Sequence, residues 1–413
     1  MFALLVSERS LAAALDEETE SKRNSFWREK VEFSGLIEAT FSARLKKPHN
    51  AIVSRLKARL ESTVRWDRFY GLISAQAEKN WAIPSETGVN LYEFWVEYVG
   101  QGFDLRVGRQ IIIWGKADGV QITDLICPPD YAEFIARPLD EIRKPVTAAR
   151  IRYLGAKINL ELIFIPFFQK GSPPGADSPW NLGRVAGRGA VNGPLAEKPK
   201  RSLANSEVAF KVAGYFSGLD LAASVFSGFD DFPVTGPIIA RPNGQIHQIS
   251  RYYRRTVLGL EASKPTGDFV FRFEAAFSVG RRRPNQDPRK EPVKQDSLKW
   301  LGGLDWTPGD DWTISGQLSG ERVLGANKST DLKESYLTTL NIAKKLFNQR
   351  LTLTNMLYQD LTNSSFYDSL KAEYELRDGL IVSLGVDLFG GQKGEFALYE
   401  VNSQAWLKLK YYF

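Results

Sequence analysis

Residues 103–118 read Phe103-Asp-Leu-Arg-Val-Gly-Arg-Gln-Ile-Ile-Ile-Trp-Gly-Lys-Ala-Asp118, and residues 146–153 read Val146-Thr-Ala-Ala-Arg-Ile-Arg-Tyr153. Over 103–113 and again from 149, apolar and polar side chains alternate, the period-two signature of strands with two unlike faces. A long excursion over 114–145 lies between them. In a compact soluble domain a connection of that length is uncommon and usually functional. In a membrane β-barrel, a long outer loop folded into the lumen is an ordinary way to narrow a pore. The stretch therefore predicts a transmembrane antiparallel β-barrel with the 114–145 loop folded inside it.

Composition agrees. The 413 residues include 25 Phe, 15 Tyr and 10 Trp, yet mean hydropathy is −0.27. No run of about eighteen apolar residues exists, which excludes a helical membrane protein. A barrel reconciles many aromatics with a polar average, because only every second strand residue meets lipid. The single cysteine, Cys127, excludes an intramolecular disulfide or a cysteine-based metal site. His49 and His247 are the only histidines. Neither has a nucleophile partner that the sequence singles out, so no enzyme activity, catalytic residue, metal or cofactor is expected. The formal charge of +6 is spread over alternating strands rather than gathered on one face, which argues against a nucleic-acid partner.

The alternation continues in both directions. Val31, Phe33, Gly35, Ile37, Ala39 and Phe41 share one face, opposite Glu32, Ser34, Glu38, Thr40 and Ser42. Leu56, Ala58 and Leu60 are read as outward, with Arg55, Lys57, Arg59 and Glu61 inward. Near 90–99, Tyr92, Phe94, Val96 and Tyr98 oppose Glu93, Trp95 and Glu97, so Glu93 or Glu97 is placed to meet Arg106 across the inner wall. Phe269, Phe271, Phe273, Ala275, Phe277 and Val279 oppose Arg272 and Glu274. Counting such segments gives about eighteen strands, sixteen being possible, each long enough to cross a bilayer when tilted. Links from even to odd strands are short, as at Gly100-Gln101, Ser217-Gly218 and Asp378-Gly379. Links from odd to even strands are mostly long, as at 114–145, 167–204, 230–250 and 390–400. Tight turns on one side and long loops on the other are the outer-membrane pattern, with both termini on the periplasmic side.

Two domains of description follow. Residues 1–29 are read as the remnant of a signal peptide and a periplasmic lead-in, from Met1-Phe-Ala-Leu-Leu-Val6 and the small-residue run Leu11-Ala-Ala-Ala14. Residues 30–413 are read as one barrel. Its final segment sets Ala405, Leu407, Leu409, Tyr411 and Phe413 on one face. This resembles the C-terminal strand of bacterial outer-membrane proteins, which the barrel-assembly machinery reads.

The charged side chains of the central loop are the candidate constriction. Lys116, Asp118, Asp124, Arg137, Arg143 and Lys144 come from the loop, with Glu93, Glu97, Arg106, Arg150 and Arg152 on the adjoining strands. Rows of cations facing carboxylates set a transverse field that tunes selectivity. Ile122, Leu125, Ile126, Tyr131, Phe134, Ile135 and Leu139 demand burial and show roughly helical spacing around Pro128-Pro129. Arg109 breaks the apolar register of its strand, which predicts a bulge or a rim position. The glycine-rich 167–204 loop reads as a flexible outer loop rather than a phosphate loop, since no Gly-Lys-Ser/Thr follows. Arg281-Arg-Arg-Pro-Asn-Gln-Asp-Pro-Arg-Lys290 reads as a basic loop, solvated or in contact with lipopolysaccharide.

The run Leu105-Arg-Val-Gly-Arg-Gln-Ile-Ile-Ile-Trp-Gly-Lys-Ala-Asp-Gly119, followed by Ile122-Thr-Asp-Leu125 and Pro128, resembles a family of proteobacterial outer-membrane barrels catalogued as a domain of unknown function. Its Arg-Val-Gly-Arg-Gln element is also similar to one in alginate-export barrels. The first resemblance implies an inner-membrane exporter or periplasmic transport partner and no catalytic residue. The function expected is a porin-like channel or exporter pore for small, anionic solutes in a Gram-negative outer membrane. The alternatives are a sleeve around a partner such as a multihaem cytochrome, or the outer component of a hydrophobic-molecule exporter.

Overall fold

A computed structural model describes residues 30–117, 119–134, 137, 141–185, 195–240, 246–325, 329 and 332–413. The expected signal remnant at 1–29 lies outside the described residues, as do Asp118, Ile135 and Leu139. The strands are β1 (Val31–Arg44), β2 (Ala51–Trp66), β3 (Phe69–Asn80), β4 (Gly88–Val99), β5 (Phe103–Gln110), β6 (Val146–Leu154) and β7 (Ile158–Ile165). Next come β8 (Leu195–Glu197), β9 (Glu207–Phe216), β10 (Leu219–Phe229), β11 (Val234–Ala240), β12 (Ile246–Arg251), β13 (Arg254–Thr266) and β14 (Phe269–Arg283). The last are β15 (Val293–Trp306), β16 (Trp312–Val323), β17 (Glu334–Leu346), β18 (Leu351–Asp360), β19 (Ser365–Arg377), β20 (Leu380–Gly391) and β21 (Gln404–Tyr412).

Eighteen of these form one closed antiparallel sheet, each strand pairing with the next and β1 with β21. Closure leaves no unpaired backbone edge, which a sheet surrounded by lipid requires. At the seam Gly35 and Phe413 exchange backbone hydrogen bonds of 2.9 and 3.1 Å. The Phe413 ring lies over Gly35, where a Cβ would fall 2.6 Å from a ring carbon, so only glycine fits. The two faces sort as expected: Phe33, Ile37 and Phe41 point outward and exposed, while Glu38 and Ser42 are buried on the lumen side. Tight turns join the strands at one end, as at 67–68, 217–218 and 378–379. The opposite end carries the long connections.

Three findings depart from simple alternation. The pairing of β3 with β4 slips between Ser74 and Ala75, leaving Tyr92 as an extra residue. This bulge turns Tyr92 into the lumen, under the Arg59 guanidinium at 3.7 Å, rather than outward as alternation predicts. Second, β5 ends at Gln110, not Ile113. Third, the 230–250 stretch is not a plain loop, since β11 and β12 join β8 in a separate three-stranded sheet.

The core of the molecule is its lumen. Ile112, Trp114, Ile122, Ile126 and Cys127 from the central loop pack against Val146, Ala148, Ile163, Ala209, Val257 and Leu301 on the inner wall. Each fully buried isoleucine contributes about 1.5–3 kcal/mol, which opposes the entropy lost in ordering the loop. Among the described residues around Pro128-Pro129 no helix forms. Proline lacks the amide that a helix interior needs, and isolated bridges join Pro129 to Arg143 and Asp130 to Ser172 instead. The following loop also enters the barrel mouth. Trp180 is fully buried among Phe134, Phe389 and Tyr399, with Phe134 stacked on Tyr399 at 4.2 Å. The loop is thus packed around Trp180, while most of its glycine-rich part, 186–194, lies outside the described residues.

Candidate functional site

The β4–β6 wall comes first. Glu97 lies opposite Arg106, and Arg106 opposite Arg150, in register. Arg106 donates from Nε and Nη2 to the two Glu97 oxygens at 3.1 and 2.9 Å, and its guanidinium stacks on Trp95 at 3.8 Å. Arg150 lies 3.6 Å from Glu97, and Arg152 donates to Asp104 at 2.9 Å. Glu93 does not pair with Arg106. Its carboxylate accepts the Ile111 N–H at 2.8 Å, which takes that amide out of the ladder where β5 stops and the loop begins. Arg109 is explained by the neighbouring bulge: its Nε donates to the carbonyls of Leu91 and Tyr92, both at 3.1 Å. The broken register at Arg109 was thus the visible signal of an irregularity one strand away.

From Ile111 the chain crosses the lumen as a strap. Glu274, on the inner face of β14 and 1% exposed, accepts backbone N–H groups of Lys116, Ala117 (2.8 Å) and Thr123 (3.2 Å) and the Thr123 hydroxyl (2.8 Å). A carboxylate holding several donors is strongly anchored, because charge-assisted hydrogen bonds are about twice as strong as neutral ones. Trp114 donates its indole N–H to Glu161 on β7 at 3.0 Å, and Lys116 reaches Asp220 on β10 at 2.8 Å. Tyr358 on β18 donates to the Gly119 carbonyl at 3.2 Å. The strap is therefore tied to widely separated walls.

The second half of the loop is held by buried ion pairs. Arg55 donates to Glu133 at 2.6 Å, and Arg137 to the same carboxylate at 2.7 Å. Burial alone pushes the Glu133 carboxyl up, but Arg137 and Arg55 bring it down to about 2. Glu141 faces Lys57, Lys408 and Lys410 at 3.3 to 3.7 Å. Burial opposes its ionisation, and the three lysines outweigh that and hold it well below the usual carboxylate range. Asp124 accepts the Trp114 N–H at 3.2 Å and Arg143 Nε at 2.7 Å, closing the loop on itself. Lys144 lies outside this arrangement, donating to the Lys170 carbonyl and the Ser172 hydroxyl.

Two cavities, of about 740 and 910 Å³, flank the strap. Gly119, Val120, Asp124, Arg137 and Tyr358 line both, so these residues form the partition between them. The smaller cavity opens toward the short turns, past Lys371, Lys408, Lys410 and Tyr412. The larger faces the long loops, past Asp230, Arg281, Phe396 and Tyr399. Of the sequence-predicted residues, Lys116, Asp124, Arg137 and Arg143 line a cavity. Glu93, Glu97, Arg106, Lys144, Arg150 and Arg152 line neither, and Asp118 lies outside the described residues. Sequence reading missed Arg255, Arg281, Arg283 and Lys299 as lumen residues of the larger cavity. It placed Glu274 on an inner face without foreseeing its loop partners.

Comparison with known proteins follows this geometry. The family model described as "Protein of unknown function (DUF1302)" matches residues 85–366. No curated protein matches the chain. Among solved structures, the chain is similar to OccAB2 of Acinetobacter baumannii, at 9% identity over 93% of this chain and 98% of that one, with a TM-score of 0.55. It is also similar to OpdK of Pseudomonas aeruginosa, solved with vanillate, at 10% identity over 93% and 99%, TM-score 0.54. A BenF-like porin from Pseudomonas fluorescens Pf-5 matches at 10% identity over 93% and 98%, TM-score 0.53. At such identities the likeness concerns the fold, which is that of an outer-membrane porin. Similarity to alginate-export barrels rests on the one motif alone.

Proposed function

This chain belongs to the DUF1302 family, and we propose that it is a porin-like channel of a Gram-negative outer membrane that passes small anionic solutes. The observation that carries this reading is the pair of lumen cavities meeting at Gly119, Val120, Asp124, Arg137 and Tyr358. A polar lumen narrowed by an in-folded loop suits selective diffusion, with charged rings at the constriction setting the sign. Cations outnumber carboxylates along the larger cavity, where Arg137, Arg255, Arg281, Arg282, Arg283 and Lys299 face Asp124, Asp230, Asp231 and Glu395, while the smaller is nearly balanced, with Lys371, Lys408 and Lys410 toward the short turns. The porin-like fold supports transport rather than catalysis.

The remaining assignments go with this reading. The apolar belt that includes Phe33, Ile37 and Phe41 faces outer-membrane lipid and lipopolysaccharide, and the Phe413 strand is what the barrel-assembly machinery reads. A sleeve around a multihaem cytochrome is less well supported, because the chain's own loop occupies the middle of the lumen. An exporter pore working with an inner-membrane or periplasmic partner uses the same lumen in the opposite direction.

Planar-bilayer recording tests the proposal. The expected outcome is steady openings whose reversal potential under a salt gradient indicates anion preference. Silent insertion of a folded barrel would overturn the channel reading.

A further inference from the structure

The larger cavity has two unlike walls. One carries Arg255 from β13, Arg281 and Arg283 from β14, and Lys299 from β15. Asp230 and Glu321 approach these cations within ion-pair distance. Asp230 lies 3.0 Å from Arg255 and 3.3 Å from Arg281. Glu321 pairs with Arg283 and lies 3.7 Å from both Arg281 and Lys299, but it does not line the cavity. Around the whole cavity Arg137, Arg255, Arg281, Arg282, Arg283 and Lys299 stand against Asp124, Asp230, Asp231 and Glu395, which leaves a positive surplus facing the open space. Asp231, pushed up to about 7 by burial with Asp230 beside it, offsets that surplus less than a free aspartate does. Arg281 and Lys299 are the accessible members, with side chains 28% and 36% exposed.

This cationic wall is built by a specific irregularity. Along β14, Phe271, Phe273 and Val279 point outward, and strict alternation continues that face through positions 281 and 283. The register instead slips between Ser278 and Arg281. Gly280 takes φ +78°, and its N–H donates to Asp296 at 2.8 Å. The extra residue turns Arg281 and Arg283 inward, which is a common use of a bulge at a functional rim. The same cavity is lined by Phe134, which is half-buried, with Phe396 and Tyr399 buried behind it and packed against its ring.

We propose that this cavity binds anions carrying an apolar, ring-sized body, with Arg281 and Lys299 taking the head group and the Phe134 ring, backed by Phe396 and Tyr399, taking the body. The inference deepens the anion-channel reading and rests on it. Pockets of 300–1,000 Å³ accommodate ligands of about that size, usually with a few polar groups fixing orientation on an otherwise apolar lining. An arginine head-group contact also gives the directional pairing to a carboxylate that the apolar wall cannot.

The test is calorimetric titration of the detergent-solubilised full-length barrel with 2-naphthoate, acetate and the neutral 2-naphthalenemethanol. Naphthoate is expected to bind at least about tenfold more tightly than either of the others, since each lacks one of the two recognised features. Arg281→Gln with Lys299→Gln should weaken naphthoate by about tenfold or more, and Arg281→Lys should recover part of the loss. Heat-modifiable gel migration reports whether each barrel is folded, and Lys299→Gln alone serves if the double variant is not. Equal binding of naphthoate and acetate overturns the proposal, as does a folded double variant that binds naphthoate unchanged. Ligand-free conductance in potassium chloride is recorded separately. A silent barrel that still prefers naphthoate sinks the channel reading and keeps the site, whereas a conducting barrel without that preference does the reverse.

Discussion

Two walls of this barrel are rich in arginine, and they do different work. On β4–β6, Arg106, Arg150 and Arg152 face Glu97 and Asp104 in cross-strand register, and none of the three lines a cavity. On β13–β15, Arg255, Arg281, Arg283 and Lys299 lie within ion-pair distance of Asp230 or Glu321, and all four line the larger cavity. With Glu161 opposite Arg152 in register, three arginines face three carboxylates, and the first wall is a neutralised lattice that stiffens the sheet. The second lines a cavity in which cations outnumber carboxylates. A count of basic residues treats the walls as equal, whereas the placement of carboxylates separates them. Lumen field depends on surplus charge with access to water, not on the number of arginines.

The strongest way to break this contrast is to release the strap between the walls. Glu274→Ala leaves the amides of Ala117 and Thr123 without their acceptor, and each such buried group costs about 1–3 kcal/mol. Single-channel conductance should rise several-fold as the two cavities merge, with Glu274→Gln intermediate. Unchanged conductance in a folded Glu274→Ala barrel would mean that the strap does not set the constriction. The next effect is on selectivity. Arg281→Gln with Lys299→Gln cancels the surplus of the larger cavity, and the anion-to-cation permeability ratio from reversal potentials should fall about threefold.

Acid offers a third handle. Glu133 has a folded pKa of about 2, held there by Arg137 and Arg55 against the effect of burial. A depressed carboxyl stabilises the folded loop fully above its unfolded pKa of about 4.3, and that stabilisation is lost as pH falls toward 2. Arg55 and Arg137 stay charged throughout and repel each other once Glu133 is neutral. The part of the conductance that depends on Glu133, read as the difference between wild type and Glu133→Gln, should therefore hold from neutral pH to about 4.3 and close below it, whereas Asp231, pushed up to about 7, titrates nearer neutrality. Glu133→Gln should show the raised conductance already at pH 7. A difference that closes above pH 6 would assign the acid response to another group.

These experiments also mark where the sequence was legible. Alternation revealed the strands because lipid imposes one face and water the other at every second residue. Turn asymmetry then gave the even strand number and the loop that narrows the lumen. The bulges at Tyr92 and Gly280 were not written in the local pattern, and each reverses the faces of the residues beyond it. That is why Arg281 and Arg283 read as a solvated outer loop when they form a lumen wall. Arg109 carried a trace of the first bulge, since a cation in an apolar register needs an acceptor nearby. Glu274 read as one more inward carboxylate, because its donors arrive from a loop more than a hundred residues away in sequence.

The smallest expected effect sharpens the contrast from the other side. Arg106→Ser removes a two-point contact to Glu97, and hydrogen bonds to charged groups contribute about 1.5–3 kcal/mol. Glu97 keeps Arg150 at 3.6 Å and Arg152 at 3.9 Å, so the carboxylate is not left without cations. The cost should appear as lower thermal stability of the barrel and not as altered transport. The reversal potential should move by less than about a twofold permeability ratio, because the lost charge was neutralised and away from both cavities. Glu97→Gln provides the complementary measurement. In a double-mutant cycle the two changes should couple in stability by roughly 1 kcal/mol or more, as neighbours in one ion-pair network do. The same pair should couple only weakly in selectivity. A shift with Arg106→Ser as large as that with Arg281→Gln would show that access to the cavity does not separate the walls, and that net basic charge anywhere along the lumen sets the preference.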